Sequence, residues 1–289
     1  MSTSKVTKQI LLVSLLLLSC QKQSPTVFAL AVEKGKINKK YINEASGIDA
    51  SEVNAGALWT HNDSGGDADA YLLDSLGKYV AKISFDNLKN RDWEEIAVAK
   101  HADTSYLYIG EIGDNRSIYS TKYIYKCKEP KLSKDETKRI TEFDTIAFAL
   151  EDGPRDTEAF FVDEKTQDIY IFSKREPEIS VYILPYPQAT KGILTAKKIA
   201  TLPITQIVAA DYNAQTNELL LKNYETVYYW KKLNEESWQS MFARLPVKQP
   251  YIPEPQGEAI CFAHSGNGYY TLSEEAKGEK PTLLFYKRN

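Results

Sequence analysis

The stretch from Asp156 to Lys174 constrains what this chain can fold into more than any other. Asp156-Thr157-Glu158-Ala159-Phe160-Phe161-Val162-Asp163 is a carboxylate-bearing start followed by a short apolar strand. A polar turn leads into Asp168-Ile169-Tyr170-Ile171-Phe172-Ser173-Lys174, a second strand that ends in polar residues. Short runs rich in β-branched and aromatic residues, bounded by Asp, Asn and Gly turns, are strand signals. The same unit recurs in degraded form, and internal repetition of this kind decides an architecture before any single residue does.

In chain order, a first unit begins Glu44-Ala45-Ser46-Gly47-Ile48 and reaches His61-Asn62-Asp63 through Ala57-Leu58-Trp59-Thr60. A second begins Asp92-Trp93-Glu94-Glu95-Ile96 and reaches Glu111-Ile112-Gly113-Asp114-Asn115. It is followed by a polar segment, Glu129 to Lys138, read as a long loop, and by Phe143 to Leu150, read as an outer strand. The third unit is the stretch above. A fourth begins Ala209-Ala210-Asp211-Tyr212 and runs through Leu219-Leu220-Leu221 into Lys222-Asn223-Tyr224, with a short helix expected near Glu235 to Phe242. A fifth begins Gly257-Glu258-Ala259-Ile260 and runs through Tyr269-Tyr270-Thr271-Leu272 into Ser273-Glu274. The starts lie roughly fifty residues apart, the spacing of propeller blades. The fold expected is therefore an all-β β-propeller of five blades. Ala29 to Lys39 would supply the outer strand that the last unit lacks and close the ring, which removes exposed sheet edges. Six blades follow if Phe143 to Leu150 belongs to a further unit, and a non-ring β-sandwich is the alternative architecture. The 19 Tyr, 10 Phe and 4 Trp favour β structure over helix bundles.

Residues 1–19 read as a signal peptide: Lys5 and Lys8 precede an apolar run, Ile10 to Leu18, too short to span a bilayer as a helix. Cys20 follows that run and Gln21-Lys22-Gln23-Ser24-Pro25 follows Cys20, the order of a bacterial lipoprotein signal in which the Cys is acylated. An ordinary signal peptide with an incidental Cys, or an uncleaved anchor, is the plainer reading. The domains expected are 1–19 signal, 20–40 tether and closing strand, and 41–289 propeller. The place expected is the cell envelope, on the periplasmic or surface side of an outer membrane, held by lipid. Cys127 and Cys261 lie inside apolar strand patterns and read as buried free thiols. A net charge of -3 gives no reason to expect a nucleic-acid partner. A monomer is expected.

Antiparallel neighbours run in opposite directions. The start of each unit's first strand and the end of its second therefore share one edge, and in a propeller those edges meet at one mouth of the central channel. The acids placed there are Glu44, Asp63, Glu94, Glu95, Asp114, Glu158, Asp211 and Glu258, with Asn62, Asn115, Asn223 and Glu274 close by. Converging carboxylates must take up protons or hold a cation. A cluster of Asp, Glu and Asn oxygens suits a hard ion, and Ca2+ tolerates irregular geometry better than Mg2+. The structural alternative is that these acids accept backbone N–H groups of the next unit and only tie the ring. Lys174, Arg175 and Arg116 share the edge and would neutralise acids or meet an anionic group. His61 and Glu94 are the candidate general bases, although a structural His is the commoner case.

The Asp156-Thr157-Glu158-Ala159 start, with Asp163 and Asp168-Ile169-Tyr170-Ile171, resembles the Asp-x-Glu-Gly blade start of bacterial β-propeller phytases and of the esterase-like phytase group. Gln256-Gly257-Glu258-Ala259-Ile260 is similar to it. Over most of residues 41–289 the five-unit pattern resembles uncharacterised propeller lipoproteins of Gram-negative bacteria. In the phytases, acids at such positions ligate Ca2+ that holds substrate phosphate, which implies that Glu158 and Glu258 are metal ligands. Ala159 and Ala259 stand where that family has Gly, and no dense cationic pocket is evident, so phytate is not the substrate implied. Two functions follow. One is a membrane-tethered module that binds a small molecule, glycan or protein at an acidic, Ca2+-holding mouth. The other is a metal-dependent hydrolase of a phosphoester, ester or lactone, with Glu158, Asp211 and Glu258 as ligands and His61 or Glu94 as base.

Overall fold

The computed structural model describes residues 26–276 and 278–289. The signal reading of 1–19 and the lipidation reading of Cys20 fall outside the described residues. The fold is all-β. The one α-helix among the described residues, α1 (Trp238–Phe242), is a single turn capped by the hydroxyl of Ser237, which accepts from the Ser240 N–H. No helix among the described residues is long and apolar enough to cross a membrane.

The strands are β1 (Phe28–Lys36), β2 (Ala45–Ala50), β3 (Ala57–Asn62), β4 (Asp67–Asp74), β5 (Tyr79–Lys89), β6 (Trp93–His101) and β7 (Thr104–Glu111). Then come β8 (Lys122–Lys128), β9 (Thr137–Ile140), β10 (Asp144–Leu150), β11 (Thr157–Val162), β12 (Ile169–Ser173), β13 (Ile179–Leu184) and β14 (Leu194–Leu202). The last are β15 (Ile207–Asn213), β16 (Glu218–Asn223), β17 (Val227–Lys231), β18 (Val247–Gln249), β19 (Gly257–Phe262), β20 (Gly268–Ser273) and β21 (Thr282–Arg288).

Hydrogen bonding arranges them in four sheets, ordered β2-β3-β4-β5-β9, β6-β7-β8-β10-β14-β13-β12-β11, β15-β16-β17-β18 and β19-β20-β21-β1. The eight-stranded sheet consists of two antiparallel runs of four, joined where Phe148–Leu150 of β10 meets Leu194–Ala196 of β14 in parallel. The segment read as a loop from Glu129 to Lys138 instead delivers β9, which lies parallel to the outer edge of β5. β1 lies antiparallel to β21, so the first strand of the described chain completes the sheet made by the last three.

The core is divided. Five clusters of buried apolar side chains each fill the seam between two successive four-strand units. Trp59 with Leu107 belongs to the first seam, Phe148 with Ile171 to the second, and Phe161 with Trp230 to the third. Leu220 with Tyr269 belongs to the fourth, and Leu73 with Leu272 joins the last unit to the first. The first strands, β2, β6, β11, β15 and β19, neighbour one another in that order, and β19 returns to β2. They are buried on both faces and read as apolar runs for that reason.

β1 contributes a single anchor to this arrangement. Phe28 is fully buried, edge-on to Tyr269 at 4.9 Å between ring centroids, whereas Leu30 is 73% exposed. Phe28→Ala is expected to lower unfolding free energy by about 3–5 kcal/mol. Leu30→Ala should lie within about 0.5 kcal/mol of the parent. Urea unfolding of both variants checks this, and equal effects would show that β1 is not held through its buried side.

Candidate functional site

Every pairing of a first strand with its second strand breaks register at the same place. The jumps fall between Ala45 and Ile48, Trp93 and Glu95, Thr157 and Ala159, Ile207 and Ala209, and Gly257 and Ala259. The extra residue is Glu94, Glu158, Val208 or Glu258 in four units, and one of Ser46 and Gly47 in the first. A bulge leaves that residue out of the ladder and re-aims its side chain. The three bulged glutamates line one cavity of about 280 Å³, together with Glu44, Asp63, Asn115, Lys174, Arg175, Gln206, Tyr224, Gln256 and Glu274.

Two further repeated positions supply most of the remaining wall, although Asp92 and Asp156 do not line it. Glu44, Asp92, Asp156, Gln206 and Gln256 each stand immediately before a first strand. Asp63, Lys174, Tyr224 and Glu274 each stand immediately after a second strand. Backbone bonds hold the two positions together: Asp63 N–H donates to Glu44 C=O at 2.7 Å, Lys174 N–H to Asp156 C=O at 3.0 Å, and Glu274 N–H to Gln256 C=O at 2.9 Å.

The site has two chemically distinct sides. On one, Lys174 Nζ lies 2.5 Å from Glu158 Oε1 and 5.3 Å from the centre of the Tyr224 ring. The Tyr224 hydroxyl donates to Glu258 Oε1 at 2.5 Å, and Arg175 Nε lies 2.5 Å from Asp156 Oδ2. Burial alone would lower Lys174, yet Glu158, Tyr224 and Glu258 hold it charged and raise it above its ordinary value. Burial pushes Glu158 up to about 8 even with Lys174 beside it.

On the other side, Asp63, Asp92 and Glu94 each offer a carboxylate oxygen, and the three oxygens lie within 4.8 Å of one another. Glu94 is 3% exposed. Among the described residues its carboxylate accepts only from the Ser46 hydroxyl, at 3.1 Å to Oε2, and that hydroxyl also lies 3.0 Å from the Glu94 carbonyl. One hydroxyl has one proton to give. Asp63 Oδ1 is buried with no partner among the described residues. Burial, then the charges of Asp92, Glu258 and Glu44, raise Asp63 to about 7, and burial followed by Glu258 raises Glu274 to about 9. Burial and the Glu158 charge push Glu94 well above the usual carboxylate range. Gly113 makes the cluster sterically possible, because a Cβ there would collide with the carboxylates of Asp92 and Glu94. Three carboxylate oxygens at this spacing could hold a metal ion.

Five of the acids expected at the mouth are therefore brought together: Glu44, Asp63, Glu94, Glu158 and Glu258. Glu95, Asp114 and Asp211 are not among the residues that line it. Asp211 is the fifth residue of β15, which starts at Ile207 and not at Ala209, so Val208 holds the position of Glu158. The Asp211 carboxylate accepts the Phe262 N–H at 2.6 Å, as Asp49 accepts the Val98 N–H at 2.6 Å. Both border a small cavity with Glu52, Glu164 and His264 near the other ends of the first strands. Glu95 follows Glu94 and points the other way. It reaches from β6 to the Ala210 N–H of β15 at 2.9 Å. Asp114 closes a turn, accepting from the N–H groups of Ile118 and Tyr119 at 2.9 and 2.8 Å.

His61 does not line the cavity. It is fully buried and edge-on to Trp93 at 5.8 Å, with Nδ1 3.0 Å from the Asn62 carbonyl. Burial lowers it to about 4, so it is neutral at pH 7. Residues not assigned from sequence are Asp92, Gln206, Tyr224 and Gln256. Aligning the residue before each first strand finds three of them, and Tyr224 follows from its equivalence to Lys174.

The Glu158 carboxyl is raised above its unfolded value, so stability falls as pH climbs from the ordinary Glu range toward 8. Removing Lys174 extends that fall to higher pH. Lys174→Met should cost about 3 kcal/mol at pH 9 and less at pH 6, where Glu158 carries a proton. Adding Glu158→Gln should remove the difference between the two pH values. Chemical denaturation at both pH values checks this, and a cost independent of pH would count against the pairing.

No protein-family model and no curated protein matches this chain.

Proposed function

We propose that the chain is a five-bladed β-propeller acting as a ligand-binding module, with a Ca2+ ion held by Asp63, Asp92 and Glu94 at its acidic mouth. Five four-strand units, five inter-unit seams and a cycle of first strands support the ring. β10 belongs to the second unit, which supports five blades over six. Completion of the last sheet by β1 is the closure such a ring needs. The observation that carries the functional reading is the Asp63–Asp92–Glu94 group: one buried and two half-buried carboxylates with few donors, gathered with the help of the bulge at Glu94 and the glycine at 113. A bound cation supplies the missing charge.

Of the two candidate bases, His61 faces Trp93 and not the cavity, and Glu94, which does line it, is taken here as a ligand of the ion, so binding is favoured over hydrolysis. The order Lys5, Lys8, apolar run, Cys20 supports attachment to a membrane surface in the cell envelope through lipid. The mouth would then present its ligand site outside the bilayer.

Thermal unfolding with chelator and with CaCl2 tests the ion. Open extracellular sites bind Ca2+ with Kd on the order of 10⁻⁴ M. At a hundredfold excess over such a Kd the gain is about 2.7 kcal/mol. That corresponds to a rise in Tm of about 5–10 °C for a domain of this size. Asp63→Asn with Glu94→Gln should abolish the rise. Asp63 titrates near 7 and must lose its proton to bind, so Ca2+ affinity should be about tenfold weaker at pH 6 than at pH 8. No Ca2+-dependent rise, or an equal rise in the double variant, would refute the site.

A further inference from the structure

We propose that the ligand of the mouth is a cyclic polyol, free or as the terminal residue of a glycan, held by its hydroxyl groups beside the cation. This deepens the reading of the mouth as a ligand site and rests on it. Every residue lining the cavity is polar or charged, which leaves nothing for an apolar ligand to bury against. Its carboxyl groups accept, and each of its charged or phenolic donors has at least one partner. Lys174 is on Glu158, the Tyr224 hydroxyl is on Glu258, and Arg175 is on Asp156 and Asn115. Glu94, nearly fully buried, has only a share of one hydroxyl. A ligand whose groups both donate and accept therefore matches this wall.

The side-chain amides of Gln206 and Gln256 make no hydrogen bond among the described residues, and Asn115, Arg175 and Lys174 keep further N–H groups of their own on the same wall. Gln206 and Gln256 occupy equivalent places, immediately before β15 and β19, and both hold a left-handed backbone, with φ of 58° and 47°. That conformation costs a non-glycine residue on the order of 1 kcal/mol. The same local structure sets both residues on the wall of one cavity. Carboxylate acceptors beside amides that both donate and accept match a hydroxyl, which gives one proton and accepts on two lone pairs. Neighbouring ring hydroxyls can each bridge a carboxylate and an amide, and their oxygens can replace water on a Ca2+ ion. Phosphate and carboxylate ligands bring further negative charge to a wall with six acids against Lys174 and Arg175. A volume of about 280 Å³ suits one ring more than an extended chain.

The test is calorimetric titration of the full chain, with CaCl2 and separately with chelator. The probes are D-mannose, D-glucose, D-galactose, their methyl glycosides, myo-inositol and inorganic phosphate. At least one polyol should bind saturably at millimolar Kd or tighter, and phosphate should not. Binding of a methyl glycoside as tight as that of its parent sugar points to a glycan terminus, and loss of binding on methylation points to the free sugar. Gln206→Leu with Gln256→Leu should weaken polyol binding about tenfold, the loss expected for two modest hydrogen bonds, while Ca2+ affinity, which reports an intact mouth, stays unchanged. Ca2+ binding with no response to any polyol would overturn the polyol and leave the ion. Polyol binding in chelator with no Ca2+ uptake would remove the ion and leave the polyol. Tighter binding of phosphate, or polyol binding unaffected in the double variant, would overturn the proposal.

Discussion

The bulge at the head of each first strand is the constraint on which the rest of this structure depends. In a regular strand, successive residues alternate between faces, so a single carboxylate position per unit would be shared with the seam on one side or the other. One extra residue breaks that alternation. Glu94 and Glu95 are adjacent acids that point to opposite sides. Glu94, the extra residue, lines the cavity, while Glu95 resumes the ladder and reaches the Ala210 N–H on β15. The same device brings Glu158 and Glu258 to the same cavity from two other units. Where the bulged residue is Val208, the wall is instead completed by Gln206 and Tyr224.

Burying carboxylates costs several kcal/mol per ion unless something compensates, and the compensation here is uneven around the site. Lys122, Lys174 and Lys222 are all buried, in the second, third and fourth units. Lys122 Nζ lies 2.5 Å from the Ile112 carbonyl with Asp114, Asp156 and Asp92 nearby, and burial lowers it to about 8. Lys222 donates to the Gly257 carbonyl near Glu254 and Glu258, and burial lowers it also to about 8. The first unit supplies no such lysine to the cavity. Glu44 and Asp63 face Glu94, Glu258 and Glu274 there, and it is there that Asp63 Oδ1 lacks a partner. The deficit of positive charge is thus sharpest around Asp63 and Glu94, whereas Asp92 has Arg91 and Lys122 nearby, and the Lys174–Glu158 pair lies on the other side.

Much of this was legible from sequence because the repeat is written in the strands themselves. The unit starts at Glu44, Asp92, Asp156 and Gly257 fall at or next to the observed first strands. The fourth unit misled because its first strand opens on Ile207-Val208, where no acid marks the start, and Asp211 was the nearest carboxylate. Two residues of offset carried Asp211 toward the other end of the strand. His61 was misplaced for a related reason: proximity to Asp63 in sequence says nothing about face, and His61 is still inside the ladder, opposite Ala70. The bulges themselves leave no signature in residue type. Glutamate, valine and serine or glycine all occupy them, so only the register shows them.

The acids that tie the fold and the acids that line the site are the same residue types, and their partners separate them. Asp49 and Asp211 each receive a backbone N–H from the next first strand at 2.6 Å, and Asp114 receives two from its own turn. Those bonds satisfy the carboxylates locally, and replacing one of them removes a tie between strands or within a turn. Asp63 and Glu94 receive little and border open space. An architecture that only needed its ring tied would have no use for a buried carboxylate left short of donors, because apolar residues of similar size would serve at lower cost. The second unit keeps Glu94 and gives up a side chain at Gly113 to make room for it. That pairing of a costly acid with a cleared neighbour is hard to account for by packing, and it is what a site shaped around a bound group requires.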